Sequence, residues 1–318
     1  MLVRRIAHRF TEISSSIAMP RAVGVACLVV GLGTGFLGGA LAQVPPRKPV
    51  APNAATSVVR PQAPSGGGFL GSLFGGGGGG GGDAAGNKQR LLDAYPGAFR
   101  FEGNVLVFPS GERVVWDDGR RKSPAELLTD ADVEDMFAYP YPSAREGEMA
   151  PPRDHDPGRI RSQEFFTALY GGSEGAVRRN VRTIRWVPSL GNAGLTVTTR
   201  FGIDDKLEKV SAELERLPKR FHKYLTPPGG GFLWRTIAGT RRLSVHSFGA
   251  AVDINTRFTN YWRWDKAAAG GVIPYRNQIP LEIVEVFERY CFIWGGRWYH
   301  YDTMHFEYRP ELLPACRR

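Results

Sequence analysis

The chain has 318 residues, 42% of them hydrophobic, enough for one sizeable core or two small ones. Its formal charge of +10, from 41 Lys and Arg against 31 Asp and Glu, favours anionic partners without choosing among them. No long Lys/Arg run marks a nucleic-acid arm, so nucleic acid is not an expected partner and the excess reads as ordinary solubilising charge.

Residues 1–42 read as an export signal. A basic region ending at Arg21 precedes an apolar run over 23–41, which closes on Ala40-Leu41-Ala42, a small-x-small cleavage pattern. The rival is an uncleaved anchor, since about 20 apolar residues span a bilayer. Membrane contact is expected only through this segment, and only if it stays uncleaved. Export places the protein in the periplasm or cell envelope. Cys27 lies deep in the apolar stretch, which rejects a lipoprotein cysteine. Cleavage leaves Cys291 and Cys316, either a disulfide pair or one buried and one tail thiol. No CxxC or CxxH spacing supports a thiolate zinc site.

Residues 43–87 read as a disordered linker, stiff at Pro45, Pro46, Pro49 and Pro52 and flexible through the run of glycines over 75–82. An N-terminal extension is expected over 88–180. Within it, 99–116 reads as a β-meander, with apolar runs 105–108 and 114–116 separated by Gly, Asn, Pro and Asp turns. Ser123 caps a helix whose first residue is Pro124. A Pro-rich loop covers 139–157, and helical signals follow over 163–170.

The remainder, 181–318, is expected to be the functional domain. Residues 183–187 and 195–199 pair as strands around Asn192-Ala193-Gly194. The clearest helix covers 205–225: Leu207, Val210, Leu214, Leu217 and Phe221 form one stripe of a 3.6-residue period, and Pro218 kinks or divides it. A second helix covers 280–290, with Pro280 at its first position and Ile283, Val286, Phe287 and Tyr290 inward.

Between and beyond these helices lie two segments rich in metal-ligand chemistry. In 244–255, Ala250, Val252 and Ile254 alternate with Ala251, Asp253 and Asn255, a strand with one apolar face. An Asp inside such a strand is costly to bury without a partner, and a metal ion supplies one. His246 lies seven residues earlier, so an unbroken strand points it away from Asp253. Gly249 resolves this if His246 rides on an incoming loop that curls over the sheet. In the second segment, 294–308, Asp302 and His305 are three apart, and a turn places both at one site.

Zinc peptidases use three protein ligands and leave a fourth position for water. A second carboxylate then carries the water's proton to the leaving amine. Asp302 is the choice for that role and Glu307 the reserve. An Arg suits a substrate carboxylate by its two-pronged geometry. His222 reads as an ordinary surface residue and His300 as ordinary structure. Trp262, Trp264, Trp294 and Trp298 wall a groove or fill core, and Trp294 is expected in the core.

From about 234 to 310 the sequence resembles the zinc D-alanyl-D-alanine carboxypeptidase family, which includes vancomycin-resistance carboxypeptidases and dipeptidases and phage L-alanyl-D-glutamate endolysins. The motif Ser-x-His-x-x-Gly-x-Ala-x-Asp stands here at Ser244 to Asp253, and Asp-x-x-His at Asp302 to His305. The resemblance extends back to about Thr183. It implies Zn2+ held by His246, Asp253 and His305, with Asp302 as catalytic carboxylate where some members have Glu. Arg235, with Arg242 as alternative, and Ser244 are the implied substrate-binding residues. The implied fold is α+β, a central antiparallel sheet carrying the zinc site with flanking helices. The implied activity is hydrolysis of peptidoglycan stem peptides, of carboxypeptidase or endopeptidase type. A non-catalytic wall-binding protein that keeps the zinc fold is the alternative.

Overall fold

The computed structural model describes residues 83–237, 239–265 and 271–316. The expected export segment and nearly all of the linker lie outside them. Among the described residues no helix is long and apolar enough to cross a membrane.

Helix α1 (Ala84–Ala94) begins a few residues before the expected end of the linker and buries Leu91 and Ala94. The meander follows as β1 (Arg100–Glu102), β2 (Val105–Val107) and β3 (Arg113–Val115), all antiparallel. Its register stacks Phe101, Leu106 and Val114 on one face, as period-2 alternation requires. Ser123 caps α2 (Pro124–Leu127): its hydroxyl accepts from the Glu126 N–H, and the Glu126 carboxylate accepts in turn from the Ser123 N–H at 2.8 Å. After α3 (Gln163–Tyr170) and α4 (Glu174–Arg178) comes the expected strand pair, β4 (Val181–Arg185) with β5 (Gly194–Thr198).

Helix α5 (Ile203–Glu215) carries the apolar stripe, with Leu207, Val210 and Leu214 buried. Pro218 divides it from a short 3₁₀ helix, Lys219–Tyr224, which carries buried Phe221. Helix α6 (Leu281–Arg289) starts one residue later than expected. Pro280 caps it with ψ of 140°, because the ring fixes φ and leaves ψ free to stay extended.

The last sheet has the order β6-β8-β7, with β6 (Ala251–Asp253), β7 (Phe292–Trp294) and β8 (His305–Tyr308) antiparallel to its neighbours. Phe287 of α6 stacks on Phe306 of β8 with ring centroids 3.7 Å apart. The chain is therefore α+β. Its strands run only three to five residues, and among the described residues they divide into three small antiparallel sheets.

One hydrophobic cluster joins these parts, running from Leu91, Phe99 and Trp116 through Phe165 and Leu207 to Val252 and Phe306. The extension over 88–180 and the segment beyond it thus share a core. A chain of buried polar groups reinforces the join. Tyr95 donates to Glu311 at 2.9 Å, and Arg309 donates to both Glu311 and the Gly158 carbonyl at 2.5 Å. Cys291 and Cys316 are disulfide-bonded, with Cα atoms 5.7 Å apart.

Candidate metal centre

His246 reaches the sheet by way of a turn. Ser244 is tied to Arg235 by a backbone bond of 3.0 Å, and the 3₁₀ turn Val245–Phe248 follows. Gly249 closes it at φ 68°, a left-handed conformation that L side chains resist. A Cβ on Gly249 would stand 2.8 Å from the Thr198 backbone nitrogen. The chain then enters β6 and places Asp253 at its end. Across the sheet Asp253 pairs directly with His305, the first residue of β8. His246 therefore rides over the sheet edge while Asp253 and His305 rise from it.

Three side-chain atoms converge there. His246 Nε2 lies 3.2 Å from Asp253 Oδ1 and 3.2 Å from His305 Nδ1, and His305 Nδ1 lies 3.1 Å from Asp253 Oδ1. The outer nitrogens are oriented by acceptors. His246 Nδ1 donates to the Gly231 carbonyl at 2.8 Å, and His305 Nε2 donates to Glu307 at 3.2 Å. Each imidazole so turns its other nitrogen toward Asp253.

The cluster calls for a positive charge. Burial opposes ionisation of Asp253, yet His246 and His305 hold its carboxyl far below the ordinary carboxylate range. Burial also opposes a charged His305, but the Asp253 and Glu307 carboxylates push it up to about 9. A proton or a metal cation satisfies the same need. Tetrahedral ligands at roughly 2.0–2.2 Å from one ion stand about 3.4 Å from each other, close to the spacings seen. The donor set fits a divalent ion of the zinc type.

Asp302 faces the same cavity, whose volume is about 260 Å³. It is half-buried, and its Oδ1 is fully buried with no hydrogen-bond partner among the described residues. Burial, reinforced by the Asp253 charge, raises its pKa above the ordinary carboxylate value. An orphaned buried carboxylate oxygen beside three convergent ligand atoms is the place a proton acceptor would occupy. Arg235 and Ser244 line the cavity as well, with Arg235 exposed, and Trp264 adds an aromatic wall that is 62% exposed.

Two expected roles do not fit. Arg242 lies outside this cavity: its guanidinium donates to the Leu128 carbonyl and, at 2.8 Å, to the Arg161 carbonyl, which fixes it as a strut between segments. Glu307, the reserve proton acceptor, is fully buried behind His305. Arg161 donates to it at 2.8 and 2.5 Å and Arg309 at 3.2 Å. Burial raises its pKa, but Arg161, His305 and Arg309 together hold it far below the usual range. It orients the His305 imidazole.

Other residues keep structural roles. Trp294 is buried in the core and donates to the Thr303 carbonyl at 2.9 Å. His300 is held at 2.8 Å from the buried Asp156, and His222 at 3.0 Å from the Leu217 carbonyl. The acidic groups Asp118, Asp132 and Asp135 already share a cation, because Lys122 Nζ sits 2.6–3.0 Å from each. Sequence reasoning missed Gly231, Arg159 and Arg161. Gly231 ends the run Gly229-Gly230-Gly231, and a Cβ there would meet the Thr196 carbonyl at 2.3 Å, so the glycine run was a readable signal of close backbone approach. The two arginines carry no local signal: Arg161 stands 146 residues before the Glu307 it pairs with.

No curated protein and no solved structure matches the chain. A family model described as D-alanyl-D-alanine carboxypeptidase matches residues 238–308, which include His246, Asp253, Asp302 and His305. The segment that brings these four side chains to one cavity is thus a match to the D-alanyl-D-alanine carboxypeptidase family, a family of peptidases.

Proposed function

We propose that this chain is a zinc-dependent peptidase acting on peptidoglycan stem peptides in the periplasm or cell envelope. His246 Nε2, Asp253 Oδ1 and His305 Nδ1 would hold the ion. When bound, zinc supplies a Lewis acid that brings a coordinated water's pKa to about 7 and polarises the scissile carbonyl. Asp302 takes the proton released by the attacking water and delivers it to the departing amine. Arg235 holds a substrate carboxylate through its guanidinium fork. Glu307 keeps the His305 Nε2 proton in place, so that Nδ1 stays turned to the ion.

The observation that carries this reading is the convergence of the three side-chain atoms on a cavity where, among the described residues, Asp302 Oδ1 lacks a partner. The test is Asp302→Asn. The variant should keep zinc and its fold while cleavage of purified muropeptides drops by about 10²–10⁴-fold. Mass spectrometry of the products names the bond, separating terminal D-alanine release from cleavage within the stem. Cleavage by the variant at the wild-type rate would remove Asp302 from the mechanism. Zinc uptake with no cleavage of any muropeptide by the wild type would leave the wall-binding alternative.

A further inference from the structure

Among the described residues, two guanidinium groups line the cavity of the ligand cluster without a bonded partner. Arg235 is one. The other is Arg159, half-buried, with its Cζ 5.1 Å from the Trp298 ring. Among the described residues neither guanidinium has a hydrogen-bonded or ion-paired partner. Their neighbours differ: Arg161 is committed to Glu307, and Arg242 to two backbone carbonyls. The Arg159 guanidinium, by contrast, donates to no carbonyl or carboxylate among the described residues. The face of Trp298 holds it in place by cation–π contact and leaves its N–H fork open.

Arg159 also marks a junction. It lines the ligand cavity and a second cavity of about 470 Å³, whose wall includes Leu128, Thr129, Trp262 and His300. Arg235 lines only the first. Among the residues lining the second cavity Asp154 is the one carboxylate, and it stands 3.6 Å from Arg153. Arg161 and Ile237 line both cavities too, but Arg161 is already committed to Glu307, so Arg159 is the open cation beside a ligand that continues from Arg235 into the second cavity.

We propose that Arg159 anchors a second anion subsite, which binds a carboxylate of the substrate other than the one held at Arg235. Arg159 is a specificity-determining residue, set outside residues 238–308 by the N-terminal extension. The substrate class follows: a peptide bearing two carboxylates, one near the scissile bond and one further along the chain. This rests on the peptidase reading for the substrate's identity, and on the paired arginines for its charge.

The test uses the full chain loaded with zinc and two synthetic stem pentapeptides, L-Ala-γ-D-Glu-L-Lys-D-Ala-D-Ala with the D-glutamate α-carboxylate free or converted to the amide. Binding is read from tryptophan fluorescence in the Asp302→Asn background, and kcat/KM in the otherwise native protein. With Arg159 present, amidation should weaken binding by about tenfold, the scale of one charge-assisted pair. With Arg159→Gln, the free acid should bind as the amide does, and amidation should change little. Arg159→Lys keeps the charge without the fork and should fall between. Arg235→Gln should weaken both peptides alike. An amidation effect of the same size with and without Arg159 overturns the proposal, as does an equal loss on both peptides in Arg159→Gln, which would place Arg159 in the chemistry instead. If the native protein discriminates the peptides in binding but cleaves neither, the peptidase reading fails while the subsite stands. Equal affinity and equal cleavage of both sink the subsite alone.

Discussion

Replacing Glu307 by Gln separates what this residue does for the fold from what it does for the ligand cluster. The carboxylate is fully buried between Arg161 and Arg309, with His305 Nε2 at 3.2 Å. Arg309 keeps Glu311 at 2.5 Å after the substitution, so its charge remains compensated. Arg161 keeps the Arg159 carbonyl at 3.3 Å and one side-chain oxygen of the new Gln, but it loses its anion and becomes a buried cation without countercharge. Breaking one side of a buried pair costs about 3–5 kcal/mol, a large share of the roughly 5–15 kcal/mol that holds a domain folded. His305 also loses the anion that fixes its proton on Nε2. Loss of such an outer partner lowers metal affinity by about ten- to a hundredfold. The double variant Arg161→Met/Glu307→Met removes both charges, and stability should return close to native because buried pairs are replaceable by apolar side chains. Zinc affinity should stay low, since His305 still lacks its acceptor. Urea unfolding of the metal-free proteins and zinc competition against a chelator read the two effects separately. Recovery of both properties in the double variant would refute the argument, for it would mean that Glu307 acts on the cluster only through packing.

Two further outcomes follow from the same geometry. His305 is pushed up to about 9 in the metal-free protein from an ordinary value of 6.5, so the stabilisation it brings is fully present below its unfolded pKa and lost as pH rises through the folded one. Zinc must displace that proton. Uptake at pH 7 should release about one proton, visible by calorimetry in buffers of different ionisation heat, and affinity should climb toward pH 9; uptake with no proton released contradicts the assignment. Gly249→Ala puts a side chain at φ 68° with its Cβ 2.8 Å from a backbone nitrogen that is itself bonded to the Gly249 carbonyl. Strain and clash together should cost about 2–4 kcal/mol; a urea midpoint equal to that of the native protein would show that the turn has room to relax.

Much of the cluster was legible because its parts are close in sequence and each breaks a local pattern. Asp253 puts a charge in the middle of a strand with one apolar face, Gly249 permits the bend that brings His246 over the sheet, and Asp302 and His305 share one turn. The helices of 203–224 and 281–289 followed from their apolar period and from Pro218 and Pro280, and the strand pair of 181–198 from its Asn192-Ala193-Gly194 turn. The supports were not legible. Glu307 alternates correctly for a strand and gives no hint that two arginines enclose it. Arg242 stands just ahead of Ser244, where the motif begins, and nothing local distinguishes a clamp from a strut. Its fate was decided by carbonyls at Leu128 and Arg161, 114 and 81 residues away.

The division of labour between the two halves of the chain follows from charge. The ligand cluster gathers Asp253, Asp302 and Glu307 within one small volume, and carboxylates so placed repel one another unless cations stand near. The matched segment supplies the two histidines, and Arg309 follows directly after it. Further countercharge comes from Arg235 and from the extension, with Arg161 on Glu307 and Arg159 over Trp298 in the cavity that Asp302 lines. The Gly158 carbonyl, next to those arginines, is itself tied to Arg309. Residues 158–161 therefore form a wall of the site as well as part of the shared core. A cluster of this charge would not keep its geometry on residues 238–308 alone, and the extension is as much a part of the site as the strands that carry Asp253 and His305.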